Sequence, residues 1–451
     1  MPADIPLMLQ TTYAELLDRT RAAAFSSDFP NDGVFTAKIV RGRRYWYFQA
    51  SSADGRGQKY VGPETPDLLR RIAEHKAART YQRDQRSLVA MLVRGGNFPT
   101  PRKDIGDLAA ALADAGVFRL RGVLVGTVAY QVYSAMLGVR LPAALVQTSD
   151  IDVAQYANVS AAMGDVTRPM PDILSQVDAS FRPVPHIDPA RAVSYMATSG
   201  LRVDFLTPNT GPDTEEPRNL PALGTDAQPL RFLDFLIREP EPAVLLHGTG
   251  VLVTVPAPQR FALHKLIVAR RRREASTKRE KDLRQARALL DVLVERRPHE
   301  LQAAWAEAFR RGKTWQRLIG EGLGLLPPAT RDRVLLTVGA PRAVVSGLDL
   351  RFVPERADYD AGIDGVRFFA SAAGQFAFAG QEGVSCSVDR NALSAIEGVP
   401  SLVHNDCIKV FRRHRAQIEQ AARDKYLTRP VDAVGEVRLT RADLEIAKPA
   451  S

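Results

Sequence analysis

Three aspartates and one glycine turn are the residues of this chain whose types and spacing could do chemistry. The turn is Val125-Gly126-Thr127. A long apolar segment follows it, then Thr148-Ser149-Asp150-Ile151-Asp152-Val153, and later Leu201-Arg202-Val203-Asp204-Phe205-Leu206. In a strand, residues i and i+2 share a face. Asp150 and Asp152 therefore project together, while Ile151 and Val153 point the other way, into a core. Two neighbouring carboxylates repel, and burial raises that cost unless a cation sits between them. Mg²⁺ takes oxygen ligands and commonly bridges carboxylates to substrate phosphates. A third carboxylate from a second strand, Asp204, would complete a two-metal site or act as base toward an attacking hydroxyl. Gly126 and Thr127 at a helix start would offer backbone N–H groups and the positive end of the helix dipole to a phosphate.

These residues resemble the signature of the polymerase-β-type nucleotidyltransferase superfamily: a hydrophobic residue, Gly, then Gly or Ser, a helix, Asp-x-Asp between hydrophobic residues, and a lone Asp in a later strand. Gly126, Thr127, Asp150, Asp152 and Asp204 are the matching positions. Thr127 departs from the usual Gly or Ser, and the gap to Asp150 is longer than in compact members. A bacterial subgroup of nucleotidyltransferase-fold proteins shares that gap and reads very like "GTVAYQ…TSDIDVA…VDFLTP". The chain is also similar to the toxin-type nucleotidyltransferases of abortive-infection systems. The resemblance implies a polymerase-β-like core with a mixed sheet, two Mg²⁺ ions (Mn²⁺ as a substitute) held by Asp150, Asp152 and Asp204, and an NTP whose β- and γ-phosphates meet Gly126 and Thr127.

The same resemblance covers Phe261-Ala262-Leu263-His264-Lys265-Leu266 and the Arg270 to Arg273 run, followed by Lys281-Asp282. In the toxin-type enzymes the lysine of this first helix meets the triphosphate. Lys265 is thereby implied as a triphosphate ligand, with Lys281, Lys278 and Asp282 ranked behind it. A lysine is a point charge suited to phosphate. Taken without the resemblance, the arginine run is a solvated helix face.

Composition narrows the partners. The chain has 451 residues, 45% of them hydrophobic, and a formal net charge of +10. The length predicts several domains, and the charge favours an anionic partner, nucleic acid or nucleotide. Cys386 and Cys407 stand far apart and read as free thiols, and the scattered histidines lack zinc-ligand spacing. No apolar run approaches a membrane span, so the expectation is a cytoplasmic protein.

The elements around the site come next. Leu7, Leu9, Tyr13, Leu16 and Leu17 recur at helical spacing. Two β-rich runs, Val34 to Val40 and Arg44 to Gln49, flank a hairpin turn at Arg41-Gly42-Arg43, and Gln58 to Gly62 is a third strand. This basic, aromatic sheet resembles the hairpins of arm-type DNA-binding modules. Its Tyr45, Trp46 and Tyr47 either stack on bases or pack on a neighbouring helix. Residues 66–94 read as one charged helix. "DIGDLAAALADAGVF" is a helix leading into the Val123–Val125 strand, and the segment after Thr127 is an apolar helix ended by Gly138. The Pro- and Gly-rich segment 208–229 is an exposed loop, and two strands flank Gly248-Thr249-Gly250. From about 350 the texture becomes strands around a helix near 404–426. There "VRFFA", "VSCSVDRNAL", "FRRHRAQIEQAARDKY" and "GEVRLTRADL" resemble a small bacterial domain of unknown function.

The fold class expected is therefore α+β. A small β-rich module over 1–100 precedes a nucleotidyltransferase core over 101–260, a helical extension over 261–328 and a small α+β domain over 345–451. The expected activity moves an NMP from an NTP to a hydroxyl, an RNA end such as that of tRNA or else a protein side chain, with an antitoxin-like partner if the toxin resemblance extends to biology. The alternative is a nucleic-acid-binding protein on a non-catalytic nucleotidyltransferase scaffold.

Overall fold

The computed structural model describes residues 3–28, 34–40, 43–49, 59–74, 82–142, 145, 148–273, 276–345, 349–373, 384–428 and 436–446. The chain divides into two compact units, Met1–His264 and Lys265–Ser451. Among the described residues no helix is long and apolar enough to cross a membrane.

The first unit opens with α1 (Leu7–Asp28) and a three-stranded antiparallel sheet of β1 (Val34–Val40), β2 (Arg43–Gln49) and β3 (Lys59–Pro63). The β1–β2 pairing sets Val40 opposite Arg43, so the strands are those of the expected hairpin, while Arg41 and Gly42 lie outside the described residues. α2 (Pro66–Glu74) and α3 (Gln82–Gly96) occupy the described parts of the segment expected as one helix, α3 running past its expected end at 94, and residues 75–81 between them lie outside the described residues. Then come α4 (Lys103–Asp114), β4 (Val123–Val125), α5 (Gly126–Leu137), β5 (Asp150–Ala154), α6 (Ala157–Ala162), α7 (Met170–Ser175), β6 (Arg182–Pro183), β7 (Ser194–Met196) and β8 (Arg202–Pro208). β9 (Arg218–Leu220), β10 (Thr225–Leu230), α8 (Leu233–Leu236), β11 (Glu241–Leu245), β12 (Val251–Val255) and α9 (Pro258–Arg271) follow, α9 carrying the chain across the unit boundary.

The central sheet runs β4-β5-β8-β10-β9, with β7 also beside β8 and β6 beside β7. It is mixed: β5 and β8 are parallel, β4 and β5 antiparallel. Strand alternation does what the sequence pattern requires, burying Ile151, Val153, Val203 and Phe205 on one face and leaving Asp150, Asp152 and Asp204 half-exposed on the other. α5 is buried nearly all round, and its Tyr133 hydroxyl donates to the Pro256 carbonyl at 2.8 Å. A helix apolar on every face belongs in an interior. α1 packs through Leu9, Tyr13 and Leu16 with Val89 and Leu92 of α3 and Val244 of β11. The Tyr13 hydroxyl accepts the Val244 N–H at 3.0 Å.

The loop expected over 208–229 is corrected. Only its first part is irregular; Arg218–Leu220 and Thr225–Leu230 are strands, and β10 extends the central sheet parallel to β8. Sequence pattern missed them because β10 ("TDAQPL") has no apolar alternation and carries a proline. Its Asp226 and Ala227 are nevertheless buried. Pairing with β8 and β9 overrides weak local propensity there.

In the second unit, α10 (Thr277–Arg296), α11 (Pro298–Arg310), α12 (Lys313–Gly324) and α13 (Pro328–Val338) form a helical part. After it come β13 (Asp349–Asp360), β14 (Gly365–Ala373), β15 (Val384–Asp389), α14 (Arg390–Glu397), α15 (His404–Arg413), α16 (Arg415–Thr428), β16 (Glu436–Leu439) and α17 (Arg441–Ile446). The sheet order is β13-β14-β15-β16, antiparallel except for the parallel β15–β16 pair. A core of Val366, Phe368, Val388, Phe411 and Ile418 joins sheet and helices. Cys386 and Cys407 are both buried in it as free thiols, as their spacing led one to expect.

Candidate active site

β4 ends and α5 begins at Gly126, whose φ is 70°. L-residues with a side chain rarely adopt that region. There is a second reason for glycine: a Cβ at position 126 would collide with Asp152 Oδ2. The backbone at the start of α5 thus lies directly against the Asp152 carboxylate. The N-cap residue, Val125, has no side-chain acceptor for the first N–H groups of α5, and half-buried Thr127 stands at this helix start, where the dipole favours an anion.

The β5–β8 register supplies the rest. Asp152 lies opposite Asp204, and Asp150 opposite Arg202. Since parallel partners in register share a face, Asp150, Asp152, Arg202 and Asp204 form a two-by-two grid on one side of the sheet. The Asp204 carboxylate accepts the Ser194 hydroxyl at 2.5 Å and the Arg202 Nε at 2.8 Å. Ser149 Oγ donates to Asp150 Oδ1 at 3.2 Å.

The structure therefore brings Gly126, Thr127, Asp150, Asp152 and Asp204 to one place in the first unit. Lys265 and Lys281 lie in the second unit. Lys265 Nζ donates to Asp282 Oδ1 at 2.5 Å, and Arg272 Nε lies 2.8 Å from Asp282 Oδ2 without hydrogen-bond geometry. Asp282, with its side chain only 5% exposed, is thus flanked by two cations. Lys281 is half-buried in α10.

Arg202 and Ser194 were not anticipated as site residues. Arg202 could have been: it stands two residues before Asp204 on the same strand, hence on the same face. Ser194 reaches Asp204 only through the β7–β8 pairing, which no local pattern announces.

The donor set is all oxygen, which suits Mg²⁺. Its backbone frame is in place, but its side chains are not gathered as a cage: among the described residues no group of three or more acidic, histidine or cysteine side chains could hold an ion as it stands. The Arg202 and Ser194 bonds to Asp204 account for its share of this.

Residues 103–310, which contain the glycine turn and all three aspartates, match the model of a nucleotidyltransferase family. The chain is accordingly a nucleotidyltransferase enzyme, with a mixed-sheet α+β domain carrying the family match. Residues 350–439 match a family described as a protein of unknown function, over the segment whose strands and helices carried the second resemblance. No curated protein and no solved structure matches the chain.

Proposed function

We propose that the enzyme transfers an NMP from an NTP to a hydroxyl on RNA, a 3′ end being the favoured acceptor, with Mg²⁺ as cofactor. The observation carrying this reading is the juxtaposition of Asp152 with Asp204 and with the Gly126 backbone, inside the segment matching the nucleotidyltransferase family. The net charge of +10 favours an RNA acceptor over a neutral one.

Asp150, Asp152 and Asp204 would hold Mg²⁺, which when bound neutralises charge on the triphosphate. The N–H groups at Gly126 and Thr127 orient the β- and γ-phosphates along the α5 dipole. The acceptor oxygen attacks the α-phosphorus, and the bond from that phosphorus to the oxygen bridging the β-phosphate breaks. Pyrophosphate leaves, and Asp204 takes the hydroxyl proton.

Incubation with each α-³²P-labelled NTP, Mg²⁺ and total RNA tests the reading. Label on one RNA size class, lost by about a hundred- to a thousandfold in Asp150→Asn and Asp152→Asn, is the expected result. Undiminished transfer by either variant would show that the chemistry resides elsewhere. Label on protein instead of RNA would replace the acceptor and keep the site.

A further inference from the structure

The β1–β2–β3 sheet has two dissimilar faces. Phe35, Trp46, Phe48 and Val61 pack with Leu68 and Ile72 of α2, and Trp46 Nε1 donates to Glu64 at 3.0 Å. Trp46 thus belongs to the packed face. The opposite face carries Arg43, Tyr45 and Tyr47 at period two along β2 and Lys38 opposite Tyr45. Tyr60 lies across from Tyr47. Its ring centroid is 5.8 Å from that of Tyr47 and 6.4 Å from that of Tyr45. Lys38 Nζ sits 5.0 Å from the Tyr47 centroid, and Lys38 and Arg43 are exposed.

We propose that this face binds single-stranded RNA, holding the acceptor strand for the transfer site; the inference rests on the RNA-acceptor reading above. Tyr45, Tyr47 and Tyr60 are each half-buried, which leaves part of every ring accessible for bases to stack on, and the flanking cations meet the phosphates. The cations over and beside the rings add a phosphate-directed attraction to the stacking surface, which favours a nucleic-acid strand. The sheet is also tied to the site-bearing domain. Arg119 Nη1 donates to the Tyr60 carbonyl at 3.2 Å and pairs with Asp165 at 2.7 Å. Burial raises the pKa of the Tyr60 hydroxyl, against the charge of the neighbouring Arg121 guanidinium, which favours the ionised form. Arg121 is separated from Gly126 by at most about 18 Å of chain. A strand stacked on the tyrosines is therefore held at a bounded distance from the glycine turn.

The test is fluorescence anisotropy of the full chain with a 5′-labelled single-stranded 15-mer RNA, without NTP or Mg²⁺. The same RNA annealed to its complement serves as comparison. Tyr45→Ala/Tyr47→Ala should weaken single-strand binding by about ten- to a thousandfold. Tyr45→Phe/Tyr47→Phe, which keeps the rings and guards against misfolding, should bind within about threefold of the parent. Lys38→Ala/Arg43→Ala should flatten the slope of log affinity against log salt by about 1.4. No binding to the single strand, equal affinity for the duplex, or an unchanged dissociation constant in the Ala variant overturns the proposal. Because binding is read without NTP, RNA that binds but accepts no label counts against the transfer reading alone.

Discussion

At position 126 two constraints act on one atom. The left-handed backbone there disfavours any side chain by about 1–2 kcal/mol, and the missing Cβ leaves room for the Asp152 carboxylate. Gly126→Ala should lower the urea midpoint by an amount equivalent to at least that cost and depress transfer further than the stability loss explains, since Asp152 must move. Equal activity per folded molecule would mean that the glycine serves the turn alone. Arg202 makes the opposite kind of contribution. Its guanidinium neutralises Asp204 in the absence of an ion, so Arg202→Ala should bind Mn²⁺ more tightly, as read by titration followed with electron paramagnetic resonance. Weaker Mn²⁺ binding would instead make Arg202 a support that orients the carboxylate. The aspartates and the glycine were legible in the sequence because strand alternation and backbone requirements are local. Ser194 was not, because its role depends on which strands pair.

The elements divide in the same way. β5 and β8 announced themselves as apolar residues alternating with aspartates, and α5 as an apolar run closed by Gly138. β10 did not, because its stability comes from its neighbours in the sheet. Helix boundaries are blurred where charge is uniform: α9 ends at Arg271 and α10 begins at Thr277, a break that the run of arginines and lysines there does not mark. Two contacts that join elements can be tested directly. The Asp389 carboxylate accepts the Ala392 N–H at 2.8 Å and caps α14. Asp389→Ala should destabilise the second unit by about 1 kcal/mol, seen as a lower midpoint in its denaturant transition. Tyr13→Phe leaves the buried Val244 N–H without its acceptor. A loss of about 1–3 kcal/mol is expected in the first unit, and no change would place water at that N–H.

For the whole molecule, separate resemblances over the middle and the end of the chain anticipated two family matches, over residues 103–310 and 350–439. The first was readable because a few residue types at set spacings are demanded by chemistry. The second was readable only as texture, since no reactive constellation marks it. The buried thiols of that second segment have a practical consequence. Burial pushes Cys386 up to about 12 and raises Cys407 as well, and only the thiolate reacts appreciably with disulfide reagents or maleimides. At pH 8 the native chain should therefore take up almost no label, and about two equivalents once denatured; prompt native labelling would show that the C-terminal core opens readily. A protein so silent toward thiol reagents is its own cysteine-free background. One cysteine placed on the surface, at position 38 for instance, would carry a fluorophore or a cross-linker alone, and distances from the tyrosine face could be measured in solution without altering a native residue of the core.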